Sequence, residues 1–281
     1  MINSVGVLGA GQMGSGIAHV FAQKGYGVTL FDLSQSQLDR ARSSIGQNLE
    51  RQAKKGTIEE SAIGDTLQRI SATLDISGLS GCDFFIEAVT ENEAVKLEIF
   101  KTLDETARPD AILASNTSSI PITKIASATR RPEKVIGMHF MNPVPIMQLV
   151  EVIRGVATSD ETFTTTASLV ASIGKEMAVS QDYPGFIVNR VLIPMLNEAI
   201  FALHEGIATA EDIDKGMKLG TNQPMGPLAL ADFIGLDTVL AIATVLYDGF
   251  KDPKYRPCPL LVKMVQAGQL GKKSGRGFYI Y

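Results

Sequence analysis

The sequence predicts an α/β protein: a doubly wound, mainly parallel sheet followed by a region that is helical throughout. Three observations predict it. From Val5 to Val179, short apolar runs of strand length alternate with amphipathic segments of helix length, the pattern of a sheet covered on both faces. The first run ends in a glycine-rich turn that opens a helix. Past Asp182-Tyr183-Pro184-Gly185 the pattern becomes helical only, so a boundary is expected after Tyr183, with domains of 1–183 and 184–281.

The elements follow in order. Val5-Gly6-Val7-Leu8 is a short apolar strand, and Ile17, Val20 and Phe21 share one face of the helix after it. Gly25-Tyr26-Gly27 stops that helix, and Val28-Thr29-Leu30-Phe31 forms a second strand ending at Asp32. Ser34 is placed to cap a long amphipathic helix running to Lys55, where Gly56 breaks it, and another helix covers Ile58 to Arg69. Together they read as a helical insertion near 34–70. Strands are expected at Asp83–Ala88, Ala111–Ala114, Val135–Phe140 and Leu149–Ile153, with helices at Ala94–Thr106 and Ile122–Ala126 between them. Helix Glu161–Ile173 and strand Glu176–Val179 close the sheet domain. Phe186–Glu205, Ala210–Leu219, Leu228–Tyr247 and Leu260–Ala267 then read as helices with no strand between them.

Composition narrows the function classes. With 281 residues, 45% hydrophobic and 20% charged, the chain can bury a core and is not a disordered segment. Lys+Arg 26 against Asp+Glu 30 leaves a net charge of -4, which argues against a general nucleic-acid surface, so any phosphate-bearing ligand needs a local site. The uncharged stretch Val135–Val150 is too short to span a bilayer and contains Pro143 and Pro145, so no membrane segment is expected. The N-terminal residues lack the basic and apolar regions of a secretory leader. Cys82 and Cys258 share no metal-type spacing, so no metal site is expected, and a reducing, cytoplasmic setting fits them.

Gly9-Ala10-Gly11-Gln12-Met13-Gly14 matches G-x-G-x-x-G. The hexapeptide alone is weak, but its place between a strand and a helix makes it the phosphate-binding turn of a Rossmann-type domain. Gly9 makes the turn, Gly11 lets backbone approach a pyrophosphate, and Gly14 allows close helix packing. Asp32, at the end of the second strand, is placed to accept from the adenosine ribose hydroxyls and would repel a 2'-phosphate, which favours NAD over NADP.

Of the three histidines, His19 and His204 lie within helices, where packed or solvated roles are expected. His139 stands at the end of a strand before a proline-containing loop, where ligands of such sheets collect. A histidine base needs its second nitrogen held. Glu151, a charged residue amid the apolar strand Leu149–Ile153, is the expected partner.

Five ordered runs carry a family resemblance: Gly9 to Gly16, Ser115-Asn116-Thr117-Ser118-Ser119, Gly137-Met138-His139-Phe140-Met141-Asn142-Pro143, Pro184-Gly185-Phe186-Ile187-Val188-Asn189-Arg190 and Gly275-Arg276-Gly277-Phe278-Tyr279. The chain resembles the L-3-hydroxyacyl-CoA dehydrogenases from its first strand to its last residues. The resemblance implies NAD-dependent interconversion of a (3S)-3-hydroxyacyl-CoA, 3-hydroxybutyryl-CoA in particular, with its 3-ketoacyl-CoA. It assigns His139 and Glu151 to catalysis, and Ser118 and Asn189 to hydrogen bonds with the substrate. Ser118, Glu91, Lys96, Asn142 and Lys273 match positions lining the cofactor. Arg51 and Lys55, within a basic set that includes Arg40, Arg42 and Lys54, match the likeliest coenzyme A contacts. A homodimer through the helical domain is also implied.

Two other readings stand beside this one. A dehydrogenase of a free hydroxy acid of the L-gulonate type shares overlapping motifs, and a non-enzymatic NAD-binding protein could keep the fold.

Overall fold

The computed structural model describes residues 2–281, and the chain divides between Tyr183 and Pro184 into two compact units. The first unit is one eight-stranded sheet in the order β3-β2-β1-β4-β5-β6-β7-β8. Its strands are β1 (Ser4–Leu8), β2 (Gly27–Phe31), β3 (Ile70–Thr73), β4 (Phe84–Glu87), β5 (Ile112–Ser115), β6 (Val135–Phe140), β7 (Leu149–Arg154) and β8 (Glu176–Gln181). All neighbours run parallel except β6 and β7. The chain winds outward from β1 in both directions, so the loops after β1 and β4 part and leave a crevice at their C-terminal ends.

Helix α1 (Gln12–Gln23) packs on this sheet with almost every residue buried. Helix α2 (Gln35–Lys54) turns Leu38, Ala41, Ile45 and Leu49 into the same core, the 3–4 residue spacing of one helical face. With α3 (Ser61–Gln68) it forms the crossover from β2 to β3. The sequence reading missed β3 because Ile-Ser-Ala-Thr is a short edge strand in which only Ile70 is buried. Helices α4 (Glu93–Thr106), α5 (Ile122–Ala126) and α6 (Asp160–Ser172) complete the layers. The connection Met141–Gln148 holds no crossover helix, so β7 returns antiparallel to β6.

The second unit is helical: α7 (Val188–His204), α8 (Ala210–Thr221), α9 (Pro227–Ile234), α10 (Leu236–Phe250) and α11 (Pro259–Gln266). Its core gathers Ile193, Leu196 and Ile200 of α7 with Leu228, Ala231, Leu236, Val239 and Leu261. The segment Leu228–Tyr247, read as one helix, is two. Gly235 at φ +100 breaks it, and α9 and α10 meet at 98°. Apolar residues continue across the break, so periodicity alone does not reveal it. Among the described residues no single helix is long and apolar enough to cross a membrane; only this bent pair passes on length and composition, and its apolar residues form the unit's core.

Candidate active site

The glycine turn closes on itself through geometry that only glycine permits. A Cβ on Gly14 would lie 1.8 Å from the Gly9 carbonyl oxygen, and one on Gly9, at φ +96, would lie 2.7 Å from the Ala88 carbonyl oxygen. Gly11 has nothing within 4 Å of where its Cβ would stand, so its bare face opens outward. The turn lies on a cavity of about 940 Å³ whose walls include Asp32, Leu33, Leu74 and Val89. Asp32 Oδ2 accepts from Ala10 N at 2.8 Å and Oδ1 from Ser34 N at 3.0 Å, so the carboxylate both faces the cavity and braces the turn. Each oxygen keeps a second acceptor site for a ribose hydroxyl. An open-faced glycine, a carboxylate at the strand end and a cavity of this size fit a dinucleotide.

Beside this cavity, the ends of β4 and β5 carry a charged cluster. Lys96, 1% exposed, lies 2.5 Å from Glu87 Oε1 and 3.4 Å from Glu91 Oε2. Glu91 Oε1 accepts from Thr117 Oγ1 (2.5 Å), Ser118 N (2.9 Å), Ser119 N (3.1 Å) and Ser119 Oγ (2.8 Å), with Ser118 Oγ at 3.3 Å. Desolvation pushes the Glu91 carboxyl up, but the Lys96 ammonium and these donors outweigh it and hold it below the usual carboxylate range. Glu91 therefore gathers the loop that carries Ser118. Lys96 is turned inward on two carboxylates.

His139 and Glu151 are direct register partners across the antiparallel β6–β7 pair, and His139 Nδ1 lies 2.7 Å from Glu151 Oε2. Glu151 is fully buried, and His139 is 9% exposed. The short return between the strands is what makes this pairing possible, because facing residues in an antiparallel ladder project to the same side. Phe140 N donates to Asn116 Oδ1 at 2.9 Å, tying the end of β6 to the loop after β5. Asn142 Oδ1 accepts from Gln12 Nε2 at 3.1 Å, which joins the loop after β6 to the glycine turn. The same loop is held from below by buried Lys175, whose Nζ donates to the Val144 and Met147 carbonyls at 2.7 and 2.6 Å.

The first unit thus brings Gly9 through Gly14, Asp32, Glu91, Ser118, His139, Asn142 and Glu151 to the C-terminal edge of one sheet. Asn189 and Lys273 belong to the second unit. Asn189 is buried in the first turn of α7, and Lys273 Nζ is paired with Asp237 Oδ2 at 2.6 Å. Of the basic set, Arg42 is engaged with the Leu67 and Ile70 carbonyls, while Arg51 is exposed and donates to Asn48 Oδ1, and Lys55 is exposed at the end of α2. His204 is exposed. His19 is fully buried with no hydrogen-bond partner for either ring nitrogen among the described residues, and burial pushes its pKa down to about 4.

Sequence reasoning missed Glu87 and Lys175. Glu87 closes the apolar run Phe84-Phe85-Ile86, the same signal that singled out Glu151, and could have been found by it.

Residues 4–183 match the family described as 3-hydroxyacyl-CoA dehydrogenase, NAD binding domain, and residues 185–281 match its C-terminal domain. The chain belongs to the 3-hydroxyacyl-CoA dehydrogenase family. It is an enzyme of that family and uses NAD. Its relatives in the family include the 3-hydroxybutyryl-CoA dehydrogenase of Bradyrhizobium diazoefficiens, 56% identical with 100% of this chain and 96% of the relative covered. The human mitochondrial hydroxyacyl-coenzyme A dehydrogenase is 43% identical, with 100% and 92% covered. Among solved structures, (S)-3-hydroxybutyryl-CoA dehydrogenase from Ralstonia eutropha superposes with a TM-score of 0.98 at 48% identity, covering 100% of this chain and 99% of that one.

Proposed function

We propose that this family member interconverts (3S)-3-hydroxybutyryl-CoA and acetoacetyl-CoA. Bound NAD supplies the hydride acceptor. In oxidation, His139 takes the proton of the substrate hydroxyl; in reduction it returns it. With Nδ1 turned to Glu151 at 2.7 Å, Nε2 is the nitrogen that meets the substrate, and the buried carboxylate fixes the tautomer and balances the imidazolium charge. This pairing is the observation that carries the reading. Ser118 and Asn189 hydrogen-bond the substrate's 3-oxygen and thioester carbonyl, which orients the reacting carbon.

The division of labour follows the two units. Residues 1–183 hold NAD, with Gly9, Ala10, Gly11, Gln12, Met13 and Gly14 around the pyrophosphate, Asp32 on the ribose, and Glu91, Ser118 and Asn142 toward the nicotinamide end, where buried Lys96 acts through Glu91. Lys273 is a further cofactor contact from residues 184–281, which serve substrate binding and self-association. Arg51 and Lys55 meet coenzyme A phosphates. Support for a homodimer through the second unit is its exposed apolar side chains, among them Ile207, Leu219, Phe233 and Ile280; sedimentation should give twice the mass of one chain. A cytoplasmic location agrees with the two free, buried cysteines.

The test is a single spectrophotometric comparison. NADH oxidation should be fast with acetoacetyl-CoA and negligible with a free 3-oxo acid, and free L-gulonate should not reduce NAD. Turnover of the free acids alone would replace this reading with the L-gulonate-type one.

A further inference from the structure

We propose that Glu87 is a positioning residue for the reaction, fixing the 117–119 loop and with it the Ser118 hydroxyl through Lys96, Glu91 and Ser115. The inference rests on the role proposed above for Ser118.

Glu87 is the last residue of β4 and stands in register between Leu8 of β1 and Ser115 of β5. It is fully buried, and both carboxylate oxygens are engaged. Oε1 accepts from Val89 N at 2.8 Å and Lys96 Nζ at 2.5 Å; Oε2 accepts from Ser115 Oγ at 2.6 Å. Two routes run from it to the loop. One passes through Lys96, shared with Glu91, whose Oε1 collects the loop's donors. The other passes through Ser115 Oγ, which also accepts from Thr117 N at 3.2 Å.

A purely structural role does not account for this choice of residues. Burying a carboxylate and an ammonium carries a large desolvation penalty, and apolar side chains of the same volume would often hold the fold as well. What the ions add is direction. Glu87 anchors the Lys96 ammonium at 2.5 Å, and the anchored charge faces Glu91 Oε2 at 3.4 Å, so Glu91 is held in place while the loop's amides and hydroxyls converge on its Oε1. Glu87 also stands at the strand end where the loops after β1 and β4 part, next to the glycine turn, since Ala88 N donates to Leu8 O, and Asn116 N donates to Glu87 O.

The experiment is a double-mutant cycle on the full chain, with NADH and acetoacetyl-CoA. Glu87→Gln keeps the side chain's shape and removes its charge; it should lower kcat by about 10- to 100-fold, as a displaced reactive group does. In a Ser118→Ala background the same change should cost less than about twofold, because the two act through one group. Given an impaired Ser118→Ala, a Glu87→Gln enzyme with unchanged kcat, or one losing the same factor in both backgrounds, overturns the proposal. A Ser118→Ala enzyme with unchanged kcat instead overturns the reading of Ser118 on which it rests. If Glu87→Gln does not fold, Ser115→Ala removes only the hydroxyl on Oε2 and carries the same cycle: a loss confined to the Ser118 background supports positioning, and an equal loss in both backgrounds, or none, overturns it.

Discussion

In the mechanism proposed above, His139 and Glu151 divide one task between a proton carrier and the group that holds it, so their removal should have different signatures. His139→Gln should lower kcat by about 10²- to 10⁴-fold, the usual worth of a positioned acid-base group, and leave the KM for NADH near its original value. Glu151→Gln keeps the shape but favours the wrong imidazole tautomer, so kcat should fall by about 10²-fold or more while the cofactor still binds. Initial rates with acetoacetyl-CoA check both; a His139→Gln enzyme at full turnover would remove this residue from the mechanism. His19 makes a contrasting case. Its ring is neutral and buried, with the folded pKa lowered from 6.5 to about 4. The unfolded chain therefore binds the proton more readily, and stability is complete above pH 6.5 and falls as pH drops toward 4. The loss amounts to about 3 kcal/mol at pH 4 and below. Denaturant melts from pH 7 to 4 should show a shallower decline in His19→Leu than in the parent chain.

At the scale of elements, the glycine turn separates folding from binding within one hexapeptide. Gly14→Ala drives a methyl group into the Gly9 carbonyl and should cost about 1–3 kcal/mol, the range for overpacked sites, visible as a lower Tm. Gly11→Ala meets open space, so its Tm should hold while the KM for NADH rises, because the methyl group would stand where the proposed reading brings the pyrophosphate. Equal effects on Tm and KM in the two variants would contradict this division. The same elements show what a sequence can and cannot reveal. The turn, Asp32, and the strand that ends near His139 were legible because local patterns specify them: glycines at fixed offsets, a polar residue closing an apolar run. Strand β3 was not, because an edge strand with one buried residue lacks an apolar pattern. The break at Gly235 was not, because one positive φ turns a helix without changing which residues are apolar. The inward turn of Lys96 was illegible for a third reason. It depends on Glu87 at the end of a neighbouring element, and a lysine's destination is set by tertiary neighbours rather than by its own segment.

The whole molecule carries a net charge of -4, yet the proposed substrate brings several phosphate charges to it. Long-range attraction to the protein as a whole is absent, so recognition of coenzyme A falls to a local field. On α2, Leu38, Ala41, Ile45 and Leu49 are committed to the core and Arg42 to the carbonyls of Leu67 and Ile70, which leaves Arg51, Lys54 and Lys55 as exposed cations at its end, Arg51 and Lys55 being the two proposed to meet the coenzyme. Exposed charges act through water and are screened over about 8 Å at physiological salt, so their contribution should be read most clearly as a salt dependence. The Arg51→Ala, Lys55→Ala double variant should raise the KM for acetoacetyl-CoA by about 5- to 50-fold at low salt, on the scale of two charge-assisted contacts, and leave the KM for NADH unchanged. Raising ionic strength should raise the parent's KM for acetoacetyl-CoA steeply and the variant's only weakly, so the two curves converge. A variant whose KM rises equally for both substrates, or whose salt curve stays parallel to the parent's, would show that α2 supports the fold without reading the coenzyme.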